Sequence, residues 1–220
     1  MGKSKKKKQQ QLAAKRGKKI IKRKLTLSRR KPGYAAESFA KLSNYPIQES
    51  LISDDFFDKE IGLCTALLSR KLPDGDITVA VFMIDIFCLG VKNADARIFT
   101  PPEYREYFNM LSEHQVFVQF EPACIVKLVK ESVEYAKDLG LAPHKDYRKA
   151  QKLFGDIDPA ECTIDFEFGR DGKPFYVSGP YDSPMRIRKI INQLTKRFGP
   201  EGFHFIRALD PHDPGEEDEN

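Results

Sequence analysis

Hydrophobic and polar residues follow one another along the chain in patterns that predict a mixed α+β fold. Residues 61–89 predict a long β-hairpin, because a mixed run from Ile61 to Leu72 and an apolar run flank the turn Pro73-Asp74-Gly75-Asp76. In that turn the proline presets φ and the glycine accepts a positive φ. The second run, Ile77 to Leu89, is apolar at nearly every position. Such a strand is typically covered on both faces, so we expect it inside a sheet.

Apolar residues at helical spacing predict three central helices after the hairpin. The first follows Pro101-Pro102 and covers 103–113. The second runs from Pro122 to Leu139, with Gly140 placed to end it, and the third is a short helix over 145–154.

The remaining residues predict a C-terminal β-β-α-β unit. Its hairpin turn carries an Asp-Gly signature at Asp171-Gly172, and Ser183-Pro184 is a typical helix start. We expect mainly antiparallel strands, packed with the hairpin and central helices as one domain. The predicted elements are a strand at 163–168, a return strand at 175–178, a helix from Pro184 to Phe198 and a closing strand at 203–209.

Charge divides the chain into three parts. Residues 1–31 contain fifteen Lys or Arg and no Asp or Glu, whereas six acids lie in the last eleven residues. Residues 32–220 contain 22 basic and 32 acidic residues, a net charge of about −10. Dense like charge opposes a packed core. We therefore predict a disordered basic arm at 1–37, a single α+β domain at 38–209 and a disordered acidic tail at 210–220.

A polycation of this density suits a polyanion, because each phosphate that it neutralises releases counterions. We predict a nucleic-acid-binding protein, with RNA favoured over DNA, ribosomal RNA among the candidate partners and a protein partner also open. The predicted binding residues of the arm are Lys5, Lys6, Lys7, Lys8, Lys15, Arg16, Lys18, Lys19, Lys22, Arg23, Lys24, Arg29, Arg30 and Lys31.

The helix that starts at Pro184 adds a second basic surface. Arg186, Lys189, Lys196 and Arg197 lie on its outer side, with Arg188 flanking them. This surface either extends a phosphate-binding track or is an ordinary solvated face. Two nearby tyrosines, Tyr176 and Tyr181, are candidates for stacking on bases. The start of the helix offers free N–H groups to an anion, but Asp182 and Ser183 are expected to occupy them.

Three carboxylates support an enzymatic alternative. Asp85 interrupts an apolar strand, and Asp165 and Glu167 share one face of a predicted strand. Together they would suit Mg²⁺ in a metal-dependent nuclease or hydrolase. The structural alternative is that Asp85 accepts loop N–H bonds or forms an ion pair, while the other two lie on a wet strand face. A second functional alternative is a protein-interaction module with a solubilising or localising tail. We predict binding rather than catalysis, and we expect no cofactor.

The four cysteines, at 64, 88, 124 and 162, have no metal-ligand spacing and lie in apolar surroundings. We predict buried free thiols in a reducing compartment. No apolar run is long enough to span a membrane, and no apolar stretch follows the first lysines as in a signal peptide. The expected location is the cytoplasm.

Two stretches are more distinctive than folding alone requires: 84–93, IDIFCLGVKN, and 166–180, FEFGRDGKPFYVSGP. With them the chain resembles a family of uncharacterised, mostly bacterial proteins, over about residues 46–206. The resemblance implies a single cytosolic domain. It transfers no activity and no catalytic residue, and it leaves the basic arm outside the similar region.

Overall fold

A five-stranded antiparallel sheet forms the centre of the computed structural model, which describes residues 39–179 and 182–206. The order of its strands is β4-β3-β2-β1-β5. The predicted α+β class is confirmed, and β2 and β3 form the predicted hairpin. The arm at 1–37 and the tail at 210–220 lie outside the described residues. The strands are β1 (Ile47–Ser53), β2 (Leu63–Lys71), β3 (Ile77–Asp85), β4 (Gly90–Phe99) and β5 (Phe117–Gln119).

Helices cover both faces of this sheet. On one face Leu67 and Val79 pack with Tyr104 of helix α2 (Pro101–Leu111). Successive side chains of a strand point to opposite faces, so Ala66 and Phe82 point to the other side. Helix α3 (Pro122–Asp138) contacts β1, β2, β3 and β4. Strand β3 is therefore covered on both faces, as its apolar sequence predicts.

The helices differ little from their predicted bounds. Thr100 and Glu103 form a capping box that starts α2, and Gly140, at a φ of 79°, follows the end of α3. The predicted helix at 145–154 is a short α-helix that continues as a 3-10 helix. The remaining short helices are α1 (Phe39–Leu42), α4 (Tyr147–Ala150) and 3-10 helices at Asp54–Phe57, Gln151–Phe154 and Pro159–Glu161.

A buried arginine joins the short helices to the sheet. The Arg70 guanidinium donates hydrogen bonds to the carbonyl oxygens of Tyr45 at 2.7 Å and of Leu153 and Phe154 at 3.0 Å each. Burial lowers the pKa of this guanidinium. Its three acceptors are uncharged, so the cost of burying the charge is met by backbone dipoles rather than by an ion pair.

A second, two-stranded sheet follows. Strands β6 (Phe175–Val177) and β7 (His204–Ile206) are parallel and joined by helix α5 (Pro184–Phe198). The predicted hairpin turn is present, because Arg170 pairs with Lys173, and Asp171 and Gly172 both have positive φ.

The first strand of the predicted β-β-α-β unit, at 163–168, is not formed, which corrects that prediction. Lys127 Nζ donates to the Ile164 carbonyl oxygen at 2.7 Å, and Phe168 stacks on Tyr135 at 5.2 Å between ring centres. The segment is thus held along α3 instead of pairing with β6. Alternating apolar residues indicate a half-buried extended chain, but they do not supply a neighbouring strand.

The prediction of four free thiols is wrong for two of them. Cys124, in the first turn of α3, forms a disulfide with Cys162, and their Cα atoms lie 4.9 Å apart. They are 38 residues apart in the chain, so their proximity exists only after folding. Cys64 and Cys88 are free and buried, as predicted. Burial raises the pKa of both thiols, to about 12 for Cys64, which leaves them poor nucleophiles.

Candidate nucleic-acid interface

Helix α5 begins and ends where its sequence predicts. The Ser183 hydroxyl accepts a hydrogen bond from the Arg186 backbone N–H at 3.3 Å, and Pro184 occupies the first turn. Gly199, with a φ of 75°, ends the helix. The residues that define the surface of α5 are therefore the ones named from its periodicity.

One side of α5 is buried and fixes which residues face outward. Ile190 and Leu194 are buried, with Ile187 and Ile191 packed beside them. These four side chains follow the helical period, so the opposite side faces solvent. Their buried neighbours, from the β3–β4 loop, the end of α3 and β6, are Cys88, Leu89, Leu139 and Tyr176.

The outward side of α5 carries three cations that form no ion pair within the described part of the chain. Arg188, Lys189 and Lys196 are exposed and line a shallow open groove along the helix, together with Met185 and Asn192. No Asp or Glu occurs within 184–198. Among the described residues, none forms an ion pair with these three cations. We call Arg188, Lys189 and Lys196 the basic face.

Two members of the predicted track, Arg186 and Arg197, contact other residues of the chain and are not part of the basic face. Arg186 Nε lies 3.3 Å from Asp182 Oδ1, and the Arg197 guanidinium lies 5.9 Å from the centre of the Phe198 ring. Lys189 and Lys196 remain in the basic face. Arg188, which the sequence places at the flank, also lines the groove.

Asp182 anchors the start of α5. Its buried carboxylate accepts hydrogen bonds from the Gly179 N–H at 2.8 Å and the Tyr176 hydroxyl at 3.2 Å. Ser183 caps the first turn of the helix, as expected. Asp182 instead holds the turn before α5, because its carboxylate accepts from Gly179 and Tyr176. The stacking role for Tyr176 is wrong, since its ring is fully buried and stacks on Phe205. Tyr181 lies outside the described residues.

The two distinctive stretches of sequence meet beneath this helix. The Ile86 carbonyl oxygen accepts the Gly169 N–H at 2.9 Å, and the Phe87 carbonyl oxygen accepts the Phe175 N–H at 3.0 Å. A Cβ on Gly90 would lie 2.3 Å from the Ser132 carbonyl oxygen, so only glycine lets β4 start so close to α3. These stretches form a structural junction that supports β6 and, through it, α5.

Asp85 organises that junction. Its Oδ1 accepts the backbone N–H bonds of Phe87 and Cys88, each at 3.0 Å, and so closes the β3–β4 loop. Burial raises the pKa of the carboxyl to about 6, against the opposing effects of these hydrogen bonds and of the Lys92 charge. Asp85 therefore accepts hydrogen bonds from loop N–H groups, which is the structural role given above as the alternative to metal binding.

The other two carboxylates of the enzymatic alternative lie elsewhere. Asp165 is fully exposed and lies 3.5 Å from Lys127 Nζ, and Glu167 is exposed. Within 39–179 and 182–206, no group of three His, Cys, Asp or Glu side chains is arranged to hold a metal ion, so Asp85, Asp165 and Glu167 are not brought together. The Mg²⁺-dependent nuclease stays a prediction that a cleavage assay has to test.

The fourteen predicted binding residues of the arm lie outside the described residues. Among those that are described, no helix has the length and apolar composition needed to cross a bilayer. No family model, curated protein or solved structure matches the chain. The resemblance to an uncharacterised bacterial family therefore stays a prediction.

Proposed function

We propose that this protein binds nucleic acid, RNA in preference to DNA, through its basic arm and the basic face of α5. The observation that carries the proposal is the basic face itself: three exposed cations on a helix that contains no acid. On a helix surface, a cation can pair with an acid three or four residues away. A helix with cations alone presents a continuous positive surface to a phosphate backbone.

Phosphate contacts explain both parts of the proposed interface. The arm has fifteen cations in 31 residues and supplies a charge that acts on any phosphate backbone. Lys189 and Lys196 are seven residues apart on α5, about 10 Å along the helix axis. They therefore fit separate phosphates. RNA is placed before DNA because proteins contact RNA largely at single-stranded loops and ends, whose phosphates a basic segment can reach, and ribosomal RNA is one candidate.

Crosslinking in cells, followed by sequencing of the bound nucleic acid, tests this function. Three proteins are compared: the natural chain, a chain lacking residues 1–31, and the triple variant Arg188→Gln/Lys189→Gln/Lys196→Gln. We expect RNA to be recovered with the natural chain, strongly reduced recovery without the arm, and about three- to ten-fold lower recovery with the triple variant.

The matched control is Arg105→Gln/Lys130→Gln/Lys145→Gln, which removes three exposed cations outside α5. Its recovery of RNA should stay within about two-fold of the natural chain, since general loss of charge is screened over a Debye length. Equal losses in the two triple variants would show that the basic face has no special role. Absence of nucleic acid above background with the natural chain would contradict the function itself.

A further inference from the structure

An exposed apolar surface lies where three separated segments meet. Phe56 and Phe57 follow β1, Phe120 follows β5, and Ile164 and Phe166 belong to the segment along α3. The ring centre of Phe56 lies 5.3 Å from the ring centre of Phe57, 5.7 Å from that of Phe120 and 5.9 Å from that of Phe166. Phe57 is 60% exposed and Ile164 is 41% exposed. We call these five residues the aromatic patch.

The aromatic patch is held in place by its supports. Phe120 and Phe166 pack against the cluster of Ala123 and the disulfide Cys124–Cys162. Lys127 lies 5.9 Å from the centre of the Phe166 ring and donates to the Ile164 carbonyl oxygen. A partner therefore meets a surface whose order is already fixed, which lowers the entropy cost of binding.

Acidic residues flank the aromatic patch along the chain. Each of its five apolar residues has an acid as a neighbour in the chain. The nearby cations are fewer: Lys59 is exposed, whereas Lys127 is largely buried and lies 3.5 Å from Asp165. The neighbouring acids are Asp55, Asp58, Glu121, Asp165 and Glu167, all exposed except Asp55, which is half-buried.

We propose that the aromatic patch binds a cationic polypeptide segment of another protein, one in which Lys or Arg alternates with apolar side chains. Apolar groups of the segment fill the space around Phe57, and its cations pair with the surrounding acids. Aromatic anchors within a charged rim are the usual composition of a protein-binding surface. The proposal is independent of nucleic-acid binding, which it neither needs nor predicts.

The charge of the surface separates this occupant from others. Nucleic acid and acidic membrane surfaces are repelled by carboxylates at this density. A second copy that presents the same patch meets like charges across the contact, which costs several kcal/mol at an interface. A cationic segment gains from the same carboxylates, and their effect on its association rate falls with added salt.

Fluorescence anisotropy of the full chain with a short labelled peptide, in which Lys and Arg alternate with Leu, tests the proposal without nucleic acid. We expect saturable binding that weakens about ten-fold in Phe57→Ser and about five-fold in Asp58→Asn/Asp165→Asn. A peptide with Ser in place of Leu should bind at least about five-fold more weakly. A peptide with Glu in place of its cations should not bind.

Matched variants are available on α2 and just after it, where Met110 is 54% exposed and Glu106 and Glu113 are exposed. Met110→Ser and Glu106→Gln/Glu113→Gln should each leave the affinity within about two-fold, and thermal midpoints confirm that every variant is folded. Equal binding of the peptide to patch and α2 variants would overturn the proposal. So would equal binding of the acidic peptide, or dimers in sedimentation that Phe57→Ser dissociates, since the occupant would then be a second copy.

Discussion

The basic face of α5 and the aromatic patch lie on the same domain but differ in charge and in origin. The basic face comes from one helix, with cations and no acid within 184–198. The aromatic patch comes from three segments, has an acid beside each of its residues in the chain, and adjoins the disulfide Cys124–Cys162. We propose polyanions as partners of the first surface and polycations as partners of the second. The difference teaches that the small net charge of the whole chain, +5, hides two surfaces suited to opposite partners.

The disulfide offers the strongest way to separate the two surfaces. Cys124→Ser/Cys162→Ser should lower the free energy of unfolding by about 2–4 kcal/mol, because the bond restricts the unfolded chain across a 38-residue separation. Affinity for the cationic peptide should fall as well, whereas affinity for RNA at the basic face should not. Urea unfolding and the two binding assays measure these effects.

The double serine variant also supplies its own control. An added dithiol reductant should lower the free energy of unfolding of the natural chain to a value near that of the variant. It should leave the stability of the variant unchanged. A loss of RNA affinity equal to the loss of peptide affinity would show that the two surfaces are not separate.

The pH dependence of stability tests the junction beneath α5. The pKa of Asp85 is about 6 in the folded chain and about 3.9 when unfolded, so the folded chain holds this proton more tightly. The resulting stabilisation is complete below about pH 4 and is lost as the pH rises through 6. Relative to Asp85→Asn, the natural chain should lose about 2–3 kcal/mol between pH 4 and pH 7.

Urea unfolding of both proteins at pH 4, 5, 6 and 7 measures this difference. All other titrating groups occur in both proteins, so their effects cancel. If the difference in unfolding free energy between the two proteins does not change with pH, burial does not favour the neutral form of Asp85.

Removal of the Asp85 carboxyl tests its structural role. Asp85→Ala should lower the free energy of unfolding by about 1–3 kcal/mol, because the N–H groups of Phe87 and Cys88 lose their acceptor. Asp85→Asn keeps an acceptor oxygen and should be less harmful at pH 7. Equal stability of the alanine variant and the natural chain would remove Asp85 from the support of α5.

Local signals predicted the parts of the fold that local interactions determine. The bounds of α5 follow from Ser183 and Pro184, the turn at Asp171-Gly172 from its dipeptide, and the covered strand β3 from its unbroken apolar sequence. The basic face could be predicted from the sequence for the same reason, since periodicity alone shows which residues of one helix share a side.

Features that depend on distant residues were missed. Strand β1 contains Glu49 and Ser50, and β4 contains Lys92 and Asn93, so neither has a clear apolar alternation. The aromatic patch and the disulfide join segments that are separated in the chain by as much as 110 residues. The segment at 163–168 has a strand pattern without a strand partner. Contacts between distant segments of this kind cannot be predicted from composition or residue spacing.

The smallest predicted effect concerns two acids beside the aromatic patch. Asp165→Ala and Glu167→Ala should each change the free energy of unfolding by less than about 0.5 kcal/mol, because both side chains are exposed. Incubation of the natural chain and these variants with Mg²⁺ or Mn²⁺ and with RNA and DNA tests the enzymatic alternative. Cleavage that is lost in both variants and in Asp85→Asn, while all stay folded, would replace binding with catalysis.

The dependence of RNA affinity on salt tests the central proposal most directly. At six or more phosphate contacts, affinity should fall on the order of 10³-fold between 50 and 200 mM salt. In Arg188→Gln/Lys189→Gln/Lys196→Gln, the slope of log affinity against log salt should be smaller by about 2, at roughly 0.7 for each contact with a single strand. An affinity that ignores salt, or an unchanged slope in this variant, would contradict binding by the basic face.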